Sequence, residues 1–294
     1  MTRISTMKTY KAYINGQFAR SESGRHYSVA STQYPEGINV PLCSRKDVRN
    51  AVVGARKAQS GWAGKTAFNR SQILYRIAEM LEGRMHQFVA TLVDSGASES
   101  QAKLEVEMAI DRCIYYAGWC DKFQVLAGSV NPVSSGHFNF SVPEPLGVAG
   151  IACSEASPLL ETLSLILPAI AGGNTVVVLT NEKKSQIALE LGEVLHTSDV
   201  PGGVVQMLSG KHSELLDPLS NHMDLNALIL KNSDNEELLQ SAEENCSLNL
   251  KPVLRYEHDF TDLKAQGQQF IMDVQSMKTT WHPIEVSLGS SASY

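Results

Sequence analysis

Residues 141–178 read SVPEPLGVAGIACSEASPLLETLSLILPAIAGGNTVVV, and this stretch decides the fold. Residues 147–153 are apolar with two glycines, a pattern typical of a strand that is covered on both faces. Pro158 opens a helix, because its missing N–H costs nothing in a first turn. Leucines and isoleucines then keep helical spacing until Gly-Gly-Asn at 172–174, and Thr175–Leu179 follows as a strand. The stretch therefore predicts a strand–helix–strand unit of an open α/β sheet.

Further units of the same kind are predicted downstream. A helix at 186–195 precedes a strand at 204–208, and a strand at 227–230 precedes a helix at 236–243. Residues 248–254 lead into a last strand. The alternation of strands and helices predicts one mostly parallel sheet.

The N-terminal part is predicted to be a hairpin followed by helices. Asn15 and Gly16 form the turn of a hairpin at 13–18. Three helices are expected: one at 48–62 capped by Asp47, one from about residue 69, and one at 105–122. Alternating residues at 124–143 then predict a second hairpin.

Several of these segments resemble the aldehyde dehydrogenase superfamily. The resemblance lies in PLGV at 145–148, GNTVVV at 173–178, YYAGWCDK at 115–122 and PGGVVQMLSG at 201–210. It extends over nearly the whole chain. The sequence NLKPV at 249–253 and the short tail after it are most similar to the degenerate C-terminal module of aldehyde dehydrogenase family 16.

The resemblance implies an α/β fold: the Rossmann-like NAD-binding domain of that family, with a projecting oligomerisation β-flap and without the catalytic domain. It divides the chain into the N-terminal hairpin and helices of the Rossmann-like domain (1–123), the oligomerisation hairpin (124–143), the Rossmann-like α/β core (144–275), and the C-terminal oligomerisation strand and tail (276–294). Apolar side chains on the flap are expected to contact a partner: Phe138, Phe140, Trp281, Ile284 and Val286.

The resemblance fails at the family's chemical positions. The loop CSEASP at 153–158 has no counterpart of the family's Trp–Asn pair, whose Asn steadies the oxyanion. Tyr256 stands where the family has its general-base Glu, and His258 and Asp259 replace two glycines. No cysteine follows Cys246, so the family's nucleophile has no counterpart. We therefore predict no catalytic residues. Packing is the expected role of Cys153, and adjacent His258 and Asp259 are expected on opposite faces of an extended segment.

Cofactor binding is a separate question. The family's GSTxxG loop is NSDNEE at 232–237, where acids replace glycines and would repel a pyrophosphate. Only Glu182 and Ser233 remain of the cofactor-binding positions. One interpretation makes Glu182 a solvated loop acid and Ser233 a helix cap, and the other makes them a residual site. We expect no cofactor, and only weak binding if NAD binds at all.

Composition excludes several other classes of function. The net charge of −6 is spread along the chain, which argues against nucleic acid as a partner. No apolar run approaches the ~20 residues that span a membrane, so no membrane partner is expected. Five cysteines without metal-ligand spacing and without a secretory signal indicate reduced thiols in the cytoplasm and no metal site.

These observations favour a catalytically degenerate aldehyde dehydrogenase-like module with a structural or oligomerisation role. It would pair with itself or with a full-length aldehyde dehydrogenase. One alternative is a cofactor-binding component of an NAD(P)-dependent aldehyde oxidoreductase whose catalytic domain is on another chain. Another is a small-molecule-binding module that uses the cleft near Ser154 and Ser233.

Overall fold

The computed structural model describes residues 8–231 and 235–284. The helices are α1 (Arg45–Ala63), α2 (Ala67–Gly83), α3 (Met85–Asp94), α4 (Glu99–Ala117), α5 (Phe123–Ala127), α6 (Leu160–Ala171), α7 (Ser185–His196), α8 (His212–Ser220), α9 (Glu236–Ser247) and α10 (Gln268–Met272). The strands are β1 (Ala12–Ile14), β2 (Gln17–Ala19), β3 (His26–Val29), β4 (Ile38–Pro41), β5 (Ser129–Asn131), β6 (His137–Pro145), β7 (Val148–Ala152), β8 (Thr175–Leu179), β9 (Val205–Leu208), β10 (Ala227–Lys231), β11 (Val253–Tyr256) and β12 (Gln275–Pro283).

The main sheet has the strand order β11-β10-β7-β8-β9-β1-β2 in the part of the chain that the structure describes. Strands β7 to β11 run parallel, and β1 and β2 extend the sheet with antiparallel pairing. β7 and β8 are buried along their whole length, as their apolar sequences predict. The predicted α/β class is therefore confirmed, and the sheet is mixed.

The hairpin at the N-terminus has the predicted turn. Asn15 and Gly16 have φ values of 55° and 74°, the left-handed region that a tight two-residue turn between twisted strands requires. A Cβ atom on Gly16 would lie 2.9 Å from the Cα of Gly202, so only glycine allows this close approach. The turn thereby fits β1 and β2 against the end of the crossover that leads to β9.

Helix α6 lies at the centre of the molecule, and all twelve of its residues are buried. Side chains from other helices satisfy the backbone groups at both of its ends. Glu105 of α4 accepts hydrogen bonds from the N–H groups of Leu159 and Leu160, at 2.8 and 3.2 Å. At the other end, Trp62 donates to the Ile170 carbonyl and Arg70 donates to the Ala171 carbonyl. The helix is thus held by three neighbouring helices, α1, α2 and α4.

A second sheet consists of β5, β6 and β12 in the order β12-β6-β5, and we call it the three-stranded sheet. β12 pairs antiparallel with β6 over nine residue pairs, from Gln275–Pro145 to Pro283–His137. Strands β3 and β4 form a separate two-stranded sheet. Within residues 8–231 and 235–284, we find no helix that is long and apolar enough to cross a bilayer.

Several helix predictions were wrong in detail. The cap of α1 is Ser44, and Asp47 lies three positions later, where its carboxylate accepts from the Ser44 N–H at 2.8 Å in a capping box. The N-terminal part contains α3 between the helices that were predicted, and α4 begins at Glu99 and ends at Ala117, with a turn after it. The missed α8 contains Pro218, which obscured its helical pattern.

The expected apolar surface of the flap lies on two faces. Directly paired residues share a face of a sheet, so Val130, Phe140 and Phe138 lie together. Trp281 pairs with Asn139 and therefore lies on the opposite face. Ile284 follows the end of β12, and Val286 is outside the described residues. The described members of this set therefore do not share one face of the sheet, and their contact with a partner stays a prediction.

Candidate functional site

The carboxyl ends of β7 and β10 meet at the point where the strand order reverses. β8 and β9 continue the sheet on one side of β7, and β10 and β11 continue it on the other. In open α/β sheets, ligands bind in the crevice outside the carboxyl ends of strands at such a point. The described loops that follow β7, β8 and β11 therefore define the candidate site.

The loop after β7 is closed on itself by a buried carboxylate. Glu161 of α6 is 2% exposed and accepts from both the backbone N–H and the hydroxyl of Ser154, each at 2.5 Å. The Asn181 side chain donates to the Ser154 carbonyl at 2.5 Å, which ties this loop to the one after β8. Burial raises the pKa of Glu161, and the hydrogen bonds from Ser154 oppose that shift. Ser154 is thus engaged by groups of the chain.

The N-terminus of α6 is occupied by another carboxylate. Glu105 accepts from the first free N–H groups of the helix, which satisfies donors that would otherwise face the crevice. Burial raises the pKa of Glu105 despite these hydrogen bonds. An anion from outside would have to displace this side chain in order to use the same end of the helix.

Cys153 lies at the end of β7 and is 4% exposed, in agreement with the predicted packing role. Its sulfur lies 3.7 Å from the Thr162 hydroxyl. Burial raises its pKa well above the ordinary value, and the nearby Glu161 adds to the shift. A thiol with a raised pKa remains protonated and is a poor nucleophile at neutral pH.

Glu182 has a backbone partner within the chain. Its carboxylate accepts from the His212 N–H at 2.7 Å, at the first residue of α8. Tyr27 donates to the Glu182 carbonyl at 3.0 Å, and the His212 ring lies 2.9 Å from the Thr180 carbonyl oxygen. The carboxylate of Glu182 therefore satisfies the beginning of α8, where the resemblance had implied contact with a ribose.

The other position retained from the family, Ser233, lies outside the described residues, as does Asp234. Of the remaining acids in that segment, Glu236 accepts from the Arg255 guanidinium at 2.6 Å. Arg255 also contacts Glu243 at 2.5 Å. Part of the negative charge at the beginning of α9 is thus offset by a cation from β11, a partner that sequence spacing did not indicate.

The end of β11 and the segment after it bring aromatic and acidic groups to the crevice. Tyr256 donates to Asp273 at 2.7 Å and packs edge-on against Phe270, with ring centroids 5.0 Å apart. His258 also packs edge-on against this ring, with ring centroids 5.4 Å apart. His258 and Asp259 both contribute to the lining of one cavity. Their segment is irregular, and the placement of the two side chains on opposite faces stays a prediction.

Two adjoining cavities lie in the crevice. One, of about 340 Å³, is lined by residues that include Glu161, Lys231 and His258. The other, of about 360 Å³, is lined by residues that include Glu105, Lys184 and Met108. Ala156, Ser157 and Thr261 line both cavities. Their polar groups are of mixed charge, and the carboxylates of Glu105 and Glu161 already have donors within the chain.

Glu105 and Glu161 are the residues of this site that the sequence interpretation missed. A signal for Glu161 exists, since it is an acid in the first turn of an otherwise apolar helix, LETLSLILPAIA. A carboxylate at such a position must find donors nearby. For Glu105, the spacing of 54 residues to Leu159 carries no local pattern.

The backbone N–H groups that could bind a dinucleotide thus already have hydrogen-bond partners within the described part of the chain. Glu105 fills the beginning of α6 and Glu182 fills the beginning of α8. Glu236 and Glu237 are exposed acids in the first turn of α9. These residues are a poor fit for the phosphates of NAD, since carboxylates repel phosphates and compete for the same N–H groups.

Comparison with known proteins shows which family the chain is related to. Residues 18–253 match the model of the aldehyde dehydrogenase family. The chain is 34% identical over 226 residues to cytosolic 10-formyltetrahydrofolate dehydrogenase of Xenopus tropicalis, covering 74% of this chain and 25% of that protein. It is 32% identical over 246 residues to an aldehyde dehydrogenase of Davidiella tassiana, covering 82% of this chain and 48% of that protein.

Solved structures agree with this relationship. The chain superposes on PnpE from Pseudomonas sp. WBC-3 with a TM-score of 0.79 at 25% identity, over 84% of this chain and 50% of that chain. An aldehyde dehydrogenase from Bacillus cereus, solved with NAD⁺, gives a TM-score of 0.77 at 23% identity, over the same shares. The chain spans half or less of the length of these relatives. It belongs to the aldehyde dehydrogenase family.

Proposed function

We propose that this chain is a catalytically degenerate aldehyde dehydrogenase-like module whose role is structural. It associates with itself or with an active aldehyde dehydrogenase, in the manner that its resemblance to the C-terminal module of aldehyde dehydrogenase family 16 implies. In this proposal, segments 1–123 and 144–275 form the Rossmann-like body, and segments 124–143 and 276–294 form the oligomerisation sheet. We place the protein in the cytoplasm, because its five cysteines are free thiols.

The observation that carries the proposal is that polar groups of the crevice are hydrogen-bonded to one another. Glu161 holds Ser154, Glu105 holds the beginning of α6, and Glu182 holds the beginning of α8. A catalytic site keeps its donors and nucleophile available to the substrate. Here the nearest thiol, Cys153, is buried and protonated. We therefore expect no aldehyde oxidation by this chain alone.

The test of this absence of activity is a steady-state assay of NADH formation with aliphatic and aromatic aldehydes. An active member of the family, assayed alongside, provides the positive control. The matched variant is Cys153→Ala, which removes the thiol at the end of β7. Turnover by the wild-type chain that disappears in Cys153→Ala would contradict the proposal.

The three-stranded sheet supports the structural role. Val130 is 67% exposed and Phe138 is 46% exposed, and they lie on one face with Phe140. β12 is an edge strand of nine residues with no neighbouring strand on its outer side among the described residues. Exposed apolar side chains beside an open sheet edge favour association with another chain.

The association test uses size-exclusion chromatography with light scattering. The chain is examined alone and mixed with an active aldehyde dehydrogenase from the same cells. Phe138→Ser/Phe140→Ser should reduce the associated fraction, while Phe68→Ser should leave it unchanged. Phe68 is a suitable control because it is 69% exposed on α2. A monomeric wild-type chain that binds no dehydrogenase would contradict the structural role.

One observation favours the alternative function, a cofactor-binding component with its catalytic domain on another chain. Arg255 offsets part of the charge of Glu236 at the beginning of α9, so repulsion of a phosphate is weaker there than the sequence indicated. A relative of the same fold was solved as an NAD⁺ complex. Calorimetry with millimolar NAD separates the two proposals. Saturable binding that is weakened by Glu182→Ala would favour the alternative.

A further inference from the structure

A separate cavity lies outside the crevice, where the N-terminal segment meets the small sheet of β3 and β4. Its volume is about 240 Å³, and residues 8–10, 20–21, 24–26 and 39–41 contribute its lining. None of these residues lines the two cavities of the crevice. The volume is below the ~300–1,000 Å³ of sites for drug-sized ligands, so a small ligand or a small chemical group fits it best.

The lining of this cavity is strongly basic. Lys8, Arg20, Arg25 and His26 contribute to it, and no carboxylate side chain is among the described residues that line it. The chain as a whole has a net charge of −6, so this concentration of cations does not follow from the overall composition. A cavity with walls of one charge raises the local concentration of ions of the opposite charge.

The cations differ in how far they are already paired. The Lys8 ammonium lies 2.7 Å from Glu190 and 3.0 Å from Glu193, so much of its charge is offset. Arg25 has one distant carboxylate, Glu214, at 3.7 Å, and its Nε–H donates to the Ser23 hydroxyl at 3.3 Å. Arg20 has no hydrogen bond or ion pair to any residue that the structure describes. Two guanidinium groups therefore retain most of their donors for a ligand.

The turn that presents these two arginines is well fixed. The buried Ser21 donates from its hydroxyl to the Arg25 carbonyl at 2.7 Å, and the Gly24 N–H donates to the Ser21 carbonyl at 2.9 Å. The Leu42 N–H also donates to the Arg25 carbonyl, which ties the turn to the end of β4. Fixing the backbone in this way lowers the entropy that ligand binding would otherwise cost.

From this placement we infer that the cavity is a binding site for a phosphate dianion, free or as the terminal phosphate of a small molecule. Arg20 and Arg25 supply paired N–H donors that match tetrahedral oxygens, and His26 and Lys8 also line the cavity. The inference is independent of the proposed function, since no residue of the crevice takes part in it.

The test is isothermal titration calorimetry with inorganic phosphate at constant ionic strength. We expect saturable binding at one site per chain, and binding at least about tenfold weaker in Arg20→Gln/Arg25→Gln, since each variant removes charged hydrogen bonds. The matched control is Arg49→Gln/Lys57→Gln. It removes the same charge from two exposed residues of α1 that do not line this cavity.

Each outcome decides the inference. Phosphate binding that is lost only in the Arg20/Arg25 pair supports the site. Equal weakening of phosphate binding in both double variants would contradict the site, because it would show general electrostatic attraction. The absence of saturable heat with the folded wild-type chain would rule the site out. Thermal unfolding of each variant in phosphate-free buffer confirms that it is folded.

Discussion

Glu161 places a carboxylate inside the first turn of the most buried helix of the molecule. Two donors from Ser154 satisfy its oxygens, but burial still raises its pKa. A folded-state pKa above the unfolded one means that folding favours the protonated form. The contribution of Glu161 to stability is fully present at a pH below 4.5, the ordinary pKa of a Glu carboxyl. It is lost as the pH rises through the folded-state pKa.

This leads to a prediction for two variants at residue 161. Glu161→Gln keeps an acceptor for the Ser154 N–H without a charge, so it should be more stable than the wild-type chain at pH 7. Its advantage should disappear below about pH 4.5. Glu161→Ala should lose about 1–3 kcal/mol at both pH values, because it leaves the Ser154 N–H without a partner. Urea unfolding from pH 4 to 8 measures both. A Gln variant that is less stable at every pH would contradict the argument.

How much of the site the sequence predicted depends on the sequence separation between the residues of each contact. The loss of the family's Asn and Glu was visible at 153–158 and at Tyr256, because it lies in single aligned segments. The occupation of the crevice by Glu105 was not visible, since its partners are 54 and 55 residues away. Local patterns contain propensity and periodicity but no information on which distant donor a buried acid will meet.

At the scale of elements, α6 is held at each end by a side chain of the appropriate charge. A carboxylate lies at its N-terminus and a guanidinium at its C-terminus, which matches the dipole of the helix. Arg70 is 5% exposed, and besides Ala171 it donates to the carbonyls of Ala63 and Lys65. It therefore joins the end of α1, the beginning of α2 and the end of α6.

Arg70→Met should accordingly destabilise the protein by about 2–4 kcal/mol, because three carbonyls lose a charged donor in a buried place. The control is Arg76→Met on the same helix, where the exposed guanidinium forms an ion pair with Glu79 at 2.8 Å. Its effect should be within about 0.5 kcal/mol. The free energy of unfolding from urea titrations distinguishes the two. Equal effects would show that the Arg70 contacts contribute little.

The elements that sequence patterns predicted well are the buried strands and the helices between them. Thr175–Leu179 agrees at both ends, since a continuous apolar run bounded by Asn174 leaves little ambiguity. The short strands β3 and β4 were missed, because their alternation of exposed and buried residues is brief. Helix ends were shifted where the cap was a capping box and the acid at its third position looked like the cap itself.

At the scale of the whole molecule, β12 completes a three-stranded sheet whose other strands, β5 and β6, lie at least 130 residues earlier in the chain. On the face opposite to Phe138, Asn131 donates to Asn139 at 2.5 Å, and the Ser141 and Thr279 hydroxyls lie 2.8 Å apart. Asn139 and Ser141 are buried by these contacts and by β12. β12 therefore covers polar groups that β6 alone would leave open.

Deletion of residues 277–294 should expose the polar side chains of Asn139 and Ser141 and the long edge of β6. We expect a lower melting temperature, loss of the specific associated species and more non-specific aggregate than in the intact chain, because the sheet proposed for association is incomplete and an unpaired edge strand is a template for other chains. Chromatography with light scattering and thermal unfolding provide the measurements. A truncated chain that is monomeric and as stable as the intact one would show that β12 contributes nothing to either property.

The pairing of β6 with β12 also imposes a delay during biosynthesis. Ser141 and its partner Thr279 are 138 positions apart, so at ~5–20 residues per second the ribosome needs about 7–28 s to make the second strand after the first. Throughout this interval the edge of β6 that β12 later covers has no partner strand from its own chain. Ribosome-bound chains that are stalled before residue 275 should therefore recruit chaperones, and chains that are stalled well after residue 284 should release them.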